Sequence, residues 1–334
     1  MRGTRLVPAL VLLWTAPRVL AQPADEFTLV FAGDIMLDEL PGEAAARGED
    51  PFAALASLLD GADLAVGTLE CAVAEGGKAV EKEFTFRAHP RVLDVVARHF
   101  GAVSLANNHS SDFGAAGLLQ TMERLRAARI QFFGAGKNLI EAHRPLIVER
   151  KGVRVALLGY NEFQPRWFEA GPSTPGVAWS EDEQILRDIR TARTAGAHVV
   201  VPVIHWGWEH ETLPCSRQRK LARVLIDAGA DAVVGGHPHV TQGAEIYRGK
   251  LILYSLGNFV FNGFEGEEAN TGWLLHLTLG RRGVRRWHTI VVRLDERGLP
   301  RVDAAAASPC GDARFDQVRT CQVGQPGQSS LTGR

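Results

Sequence analysis

The stretch Asp231-Ala232-Val233-Val234-Gly235-Gly236-His237-Pro238-His239 decides how this chain is read. Its apolar run predicts a buried parallel strand, and Gly235-Gly236 predicts a sharp backbone turn as the chain leaves the sheet. Two imidazoles are then presented at a strand's C-terminal end, where open α/β sheets build their sites. Pro238 stiffens the link between them and removes one backbone donor. Taken alone, the pair reads equally well as two histidines satisfied within a loop.

Its companions argue otherwise. Short apolar runs recur, and each meets a polar or glycine-rich turn. Phe27 to Ala32 leads into Gly33-Asp34, and Asp63 to Val66 into Gly67-Thr68-Leu69-Glu70. Ala102 to Ala106 leads into Asn107-Asn108-His109, and His198 to Ile204 into His205-Trp206-Gly207. Such runs are strand signals with polar termini. Between them lie helical patterns: a capping box of Ser180 and Glu183 ahead of Ile185 and Ile189, closed by Gly196. Ser216 is expected to cap a second helix with Leu221, Val224, Leu225 and Ala228 on its apolar face, ended by Gly229. Leu118, Met122 and Leu125 mark a third. Alternation of strand and helix predicts a layered α/β domain.

From about Pro145 hairpins take over. Pro145–Glu149 and Val153–Leu158 flank Arg150-Lys151-Gly152, and Ala244–Tyr247 and Leu251–Tyr254 flank Arg248-Gly249-Lys250. Trp273–Leu279 and Thr289–Leu294 add strands, so mixed sheets are expected.

The 334 residues are 46% hydrophobic and 22% charged, enough for a sizeable core, and the formal net charge is −1. With no long basic run, neither nucleic acid nor an anionic membrane is an expected partner. Arg2 and Arg5 precede an apolar stretch, Leu6 to Trp14, and Val19-Leu20-Ala21 fits a signal-peptidase site. That stretch is short of the roughly 20 residues a membrane span needs. Residues 1–21 are therefore read as a signal peptide, and the mature protein is expected to be periplasmic or secreted, with no stable membrane span. The main domain is expected over 22–299, followed by a partly disordered extension over 300–334. Cys310 and Cys321 are the better disulfide candidates, although Cys71 with Cys215 is open as well.

Just past the strands stand Asp34, Glu70, Asn108, His109, His205, His237 and His239. Carboxylates, an amide oxygen and imidazoles are the ligands of a two-metal hydrolytic centre. Imidazoles favour transition metals over magnesium or calcium. Ser104 and Ser255 lack a nucleophile-elbow context, so serine hydrolase chemistry is unsupported.

At these residues the chain resembles the CapA family of poly-γ-glutamate capsule synthesis proteins, within the calcineurin-like metallophosphoesterase superfamily. The motifs are Gly33-Asp34, Thr68-Leu69-Glu70, Leu105-Ala106-Asn107-Asn108-His109, His205-Trp206-Gly207-Trp208-Glu209, Gly235-Gly236-His237-Pro238-His239 and Tyr254-Ser255-Leu256-Gly257-Asn258-Phe259. They run in the family's order from about Phe27 to Phe261. The resemblance implies an α/β fold, a four-layer α/β/β/α sandwich of metallophosphatase type with mixed sheets. It implies two divalent transition-metal ions, manganese, iron or zinc. Asp34 and His239 would hold the first, Asn108, His205 and His237 the second, and Glu70 would bridge them. His109 resembles the general acid. Glu209 would orient His205 or bind substrate, and reads equally as a solvated turn residue. Asn107, with Asp112 and Gly114, would shape its loop, and Asn258 would buttress the site from the second sheet.

Trp167, Trp206 and Trp208 are candidates to line a cleft, and Arg87 and Arg144 to grip an anion. Two departures from the pattern stand out. Met36 replaces the histidine of the wider superfamily's Asp-x-His, and Thr68 replaces the usual asparagine before Leu-Glu. The implied function is an exported hydrolase, phosphoesterase-like, acting on a phosphoester or an anionic polymer at the cell envelope, with capsule synthetase or export proteins as partners. The alternative is a non-catalytic envelope factor that binds or exports an anionic polymer such as polyglutamate.

Overall fold

The computed structural model describes residues 26–312 and 317–322. The expected leader, 1–21, and the last dozen residues lie outside them. Two sheets pack face to face, one ten-stranded and one six-stranded. In the larger, Gln131–Phe133, Ala102–Ser104, Leu64–Leu69 and Phe27–Ile35 lie side by side and parallel. From Phe27–Ile35 the sheet continues antiparallel through Thr271–Gly280, Gly283–Leu294, Ala307–Asp312 and Arg319–Gln322. The smaller sheet runs Leu146–Arg150, Val153–Asn161, Val199–His205, Ala232–Gly236, Lys250–Leu256 and Thr241–Tyr247. Its central pairings are parallel, and both edges are the expected hairpins.

Strand periodicity assigns each face to a layer. Leu29 and Phe31 point between the sheets with Val155, Leu157, Val201 and Val234. Their neighbour Val30 points the other way, into a core with Leu93 and Val96 of helix Val92–His99 and Leu118 and Met122 of helix Gly114–Ala127. On the far side Ala156, Leu158 and Tyr160 pack on Ile185 and Ile189 of helix Asp182–Thr194 and on Leu221 and Leu225 of helix Ser216–Asp227. Helices, sheet, sheet, helices: the four layers are those expected.

Local readings needed correction. Glu181, not Ser180, precedes helix Asp182–Thr194, and no side chain caps it. The Ser180 hydroxyl donates instead to Glu162 Oε2 at 2.6 Å, a charged and therefore stronger acceptor than a helix end offers. Helix Ser216–Asp227 starts one residue earlier than expected, with Cys215 at its N-cap and the Cys215 amide donating to Gln218 Oε1 at 2.9 Å. Gly196 and Gly229 do close their helices, at φ 84° and 108°. Cys310 and Cys321 are disulfide-bonded across adjacent strands, while Cys71 and Cys215 are both free. Beyond Pro300, the described residues carry Pro300–Val302, Ala307–Asp312 and Arg319–Gln322 as strands of the larger sheet.

Candidate metal centre

The parallel strands of both sheets end at one edge of the sandwich, and the polar residues at those ends meet there. Asp34 closes strand Phe27–Ile35, Glu70 follows Leu64–Leu69, His205 ends Val199–His205 and His237 follows Ala232–Gly236. Asp34, Glu70 and His237 are wholly inaccessible, and Asn108, His109, His205 and His239 are buried too. The sheets are tied here, because the His237 amide donates to Asp34 Oδ2 at 2.9 Å.

Gly235 and Gly236 act differently from the sharp turn expected of them. Both remain in the strand. A Cβ on Gly235 would run into the Tyr254 carbonyl, and one on Gly236 would sit 2.8 Å from Asp34 Oδ1. Gly235 leaves room for the neighbouring strand of its own sheet, and Gly236 leaves room for Asp34 of the other sheet. The turn itself falls on His237 and His239, at φ 95° and 57°. Such backbone costs a non-glycine residue roughly 1–3 kcal/mol and concentrates at functional sites.

Three donor atoms crowd around His205 Nε2. His205 Nε2 lies 2.8 Å from Asn108 Oδ1, 3.2 Å from Glu70 Oε1 and 3.1 Å from His237 Nδ1. Donors of a four-coordinate zinc ion stand about 3.3 Å apart, so these residues fit a divalent ion. A second group, Asp34, Glu70 and His239, is looser: His239 Nδ1 is 3.9 Å from Asp34 Oδ2 and its Nε2 is 4.0 Å from Glu70 Oε1. Glu70 is common to both groups, and a third group, Glu209 with His237 and His239, includes a ring from each.

The buried carboxylate oxygens leave a deficit that cations would fill. Asp34 Oδ1, both Glu70 oxygens, His205 Nδ1 and His237 Nε2 make no hydrogen bond. Unpaired buried carboxylates are costly. Burial pushes Asp34 up to about 7, against the pull of the His237 amide, and burial plus the Asp34 charge drives Glu70 well above the usual carboxylate range. Burial and neighbouring imidazoles hold His205 and His237 well below the ordinary histidine value, and burial brings His239 down to about 3. Neutral imidazoles beside ionisable carboxylates form a donor set suited to metal.

The supporting shell fixes ring orientations. Asn258 Nδ2 donates to the carbonyls of Ala269, at 2.9 Å, and His239, at 3.3 Å. Its Oδ1 must then accept from His239 Nδ1 at 2.8 Å, which leaves Nε2 free. Asn107 Nδ2 donates to Leu69 O, and its Oδ1 accepts from the His109 amide, both at 2.9 Å. His109 Nδ1 lies 2.8 Å from Asp112 Oδ2, so its Nε2 is turned toward Glu70, 4.0 Å away. Aromatic rings wall the centre: Phe163 is 3.8 Å from the His237 ring, Phe86 is 4.5 Å from His109, and Phe261 and Phe264 are 5.0 and 4.9 Å from His239.

Other candidates are placed elsewhere. Trp206 is buried on the helix side, its indole donating to Tyr254 O, and so lines no cleft. Trp208 reaches Phe163 but is 60% exposed, and Trp167 is exposed against Phe168. Arg87 stacks on Phe113, and exposed Arg144 lines a separate surface groove. Met36 is packed in the core, its sulfur accepting from the Asp38 amide.

Lys82 is the residue that sequence reasoning missed. Its ammonium sits 2.5 Å from Asp112 Oδ1 and donates to Asn108 O at 2.9 Å, within 3.1 Å of His109 Nδ1. Lying in the run Glu81-Lys82-Glu83, it carries no spacing signal.

Fold and centre together define the class: a four-layer α/β/β/α sandwich with a carboxylate and imidazole centre at its strand ends. The family model of the bacterial capsule synthesis protein PGA_cap matches residues 28–263, and the chain belongs to that family. It is 33% identical over 252 residues to the PGA biosynthesis protein CapA of Bacillus subtilis, covering 74% of this chain and 66% of that protein. The capsule biosynthesis protein CapA of Bacillus anthracis is 33% identical over 248 residues, covering 71% and 60%. The chain thus spans about three fifths to two thirds of these relatives' own length. Among solved structures, a putative 5'-nucleotidase from Staphylococcus aureus is similar with TM-score 0.48 and 13% identity, over 92% of this chain and 56% of that one.

Proposed function

We propose that this protein is an exported, metal-dependent hydrolase of the CapA type, acting on a phosphoester or a γ-glutamyl polymer during capsule synthesis at the cell envelope. The observation that carries the reading is the gathering of Asn108, His237 and Glu70 around His205 Nε2, beside buried carboxylate oxygens without partners. Export is supported by the leader-like N-terminus and by the Cys310–Cys321 disulfide, a bond at home in oxidising compartments. Among the described residues, no helix is long and apolar enough to cross a membrane.

Asn108, His205 and His237 would hold one ion, Asp34 and His239 the other, and Glu70 both. Bound divalent ions supply Lewis acidity and water ionised near neutral pH. The chain's own groups do the rest. His109 Nε2 hands a proton to the leaving group, and Asp112 keeps its Nδ1 protonated by accepting from it. Lys82 holds the outer oxygen of Asp112 and the carbonyl of Asn108, which fixes the loop bearing both residues. Phe163, Phe86, Phe261 and Phe264 keep bulk water from the rings they cover.

The test is metal analysis of the purified protein, followed by assays on phosphodiester and γ-glutamyl substrates with Asp34→Asn and His237→Ala. Stoichiometric metal, with turnover abolished in both variants, is the expected result. Protein that stays metal-free and inactive after reconstitution with manganese, iron or zinc overturns the reading.

A further inference from the structure

Glu209 lies on a loop that is exposed yet firmly held. Trp206 N donates to Gly236 O at 3.2 Å and His210 N to Pro238 O at 2.8 Å, which fastens the loop to the turn carrying His237 and His239. Behind it a buried amide chain, Gln218 Nε2 to Gln242 Oε1 and Gln242 Nε2 to Glu211 O, secures the following residues. So supported, the Glu209 carboxylate comes within 4.8 Å of donor atoms of both His237 and His239, although the residue itself is exposed. Among the described residues it has no hydrogen bond or ion pair. A carboxylate within 4.8 Å of two imidazole nitrogens is a donor set of the kind that holds a divalent cation.

Glu209 approaches a donor of each ion, His237 of one and His239 of the other, and the two ions are unequally supplied. Asn108, His205, His237 and Glu70 give one ion four protein donors, whereas Asp34, Glu70 and His239 give the other three. Met36, packed in the core, adds none. Two divalent cations carry four positive charges against two from Asp34 and Glu70, so a third carboxylate also improves the charge balance.

We propose that Glu209 is a protein ligand of this centre, approaching from the open side to complete the donor set of the ion carried by His239. The proposal rests on the metal-dependent reading above. It moves Glu209 from orienting His205 or binding substrate to holding metal, and it makes the first ion depend on a loop that faces solvent.

Calorimetric titration of the metal-free full chain with Zn2+, and the visible spectrum with Co2+, test it in wild type, Glu209→Gln and Glu209→Asp. We expect two equivalents in wild type. In Glu209→Gln one equivalent should bind about 10-fold or more weaker, with an altered Co2+ spectrum for that equivalent only. Glu209→Asp, which keeps the charge one methylene short, should fall between. Melting in chelator should be equal in all three, as expected of an exposed side chain. Two equivalents with unchanged affinities and spectra in Glu209→Gln overturn the ligand role while leaving the metal centre intact. A wild type that takes up no ion overturns both.

Discussion

His143 and His237 are both buried imidazoles set among carboxylates, yet their surroundings differ in one respect. Around His143 every group is answered. Asp188 Oδ2 accepts from His143 Nδ1 at 2.7 Å and from the Tyr160 hydroxyl at 3.0 Å, and Oδ1 accepts from Gln184 Nε2 at 2.7 Å. Burial and the adjacent Asp188 charge push the Tyr160 phenol well above its usual range, which keeps it a donor. Around His237 neither Glu70 oxygen makes a hydrogen bond, and the backbone is in the left-handed region. Similar residue types thus build a structural network in one place and a candidate binding centre in the other. Among the described residues, unanswered carboxylate oxygens, rather than clustering, mark the candidate centre.

The comparison is open to direct attack. His205→Ala removes the atom on which three donors converge, and metal content and turnover should both be lost, as read by elemental analysis and assay. His109→Gln should spare the metal and lower kcat about 10²–10⁴-fold, the range for a missing general acid. Asp188→Ala should do the opposite: cost about 3–5 kcal/mol in denaturant melts, through the broken buried network, with bound metal unchanged. If Asp188→Ala instead strips the metal, the two clusters are not independent. Asn258→Ala frees the His239 ring and should weaken metal binding about 10–100-fold in competition with a chelator.

The smallest expected effect is a pH dependence in the metal-free protein. Burial raises Asp34 to about 7, far above its unfolded value, so the folded state binds the extra proton. The penalty of ionising Asp34 is therefore absent near pH 4, grows as pH rises, and levels off above about 7. Metal-free Asp34→Asn should match wild type near pH 4 and become the more stable protein toward neutrality. An advantage that shrinks with rising pH would contradict the burial argument.

What was legible in the sequence was local. Short apolar runs leading into Asp34, Glu70, Asn108, His205 and His237 located the strand ends, because a run and its polar terminus are properties of neighbouring residues. The assignment of His237 and His239 to different ions came from the family resemblance; the geometry groups His237 with Glu70 and His205, His239 with Asp34 and Glu70, and both rings with Glu209. What escaped depends on distant chain. Ser180 was taken from its helix by Glu162, and Trp206 was drawn into the helix-side core. Gly235 and Gly236 are glycines because Tyr254 and Asp34 come close, which no local pattern encodes. Lys82 looked like one charge in a solvated run, and only tertiary folding sets it on Asp112.

The bond from the His237 amide to Asp34 spans 203 positions of the chain. During synthesis the first carboxylate therefore emerges long before its imidazole partners, and no partial chain can assemble the donor set. Metal uptake should come last, after the second sheet has docked. On that schedule the complete donor set would be a property of the finished molecule alone.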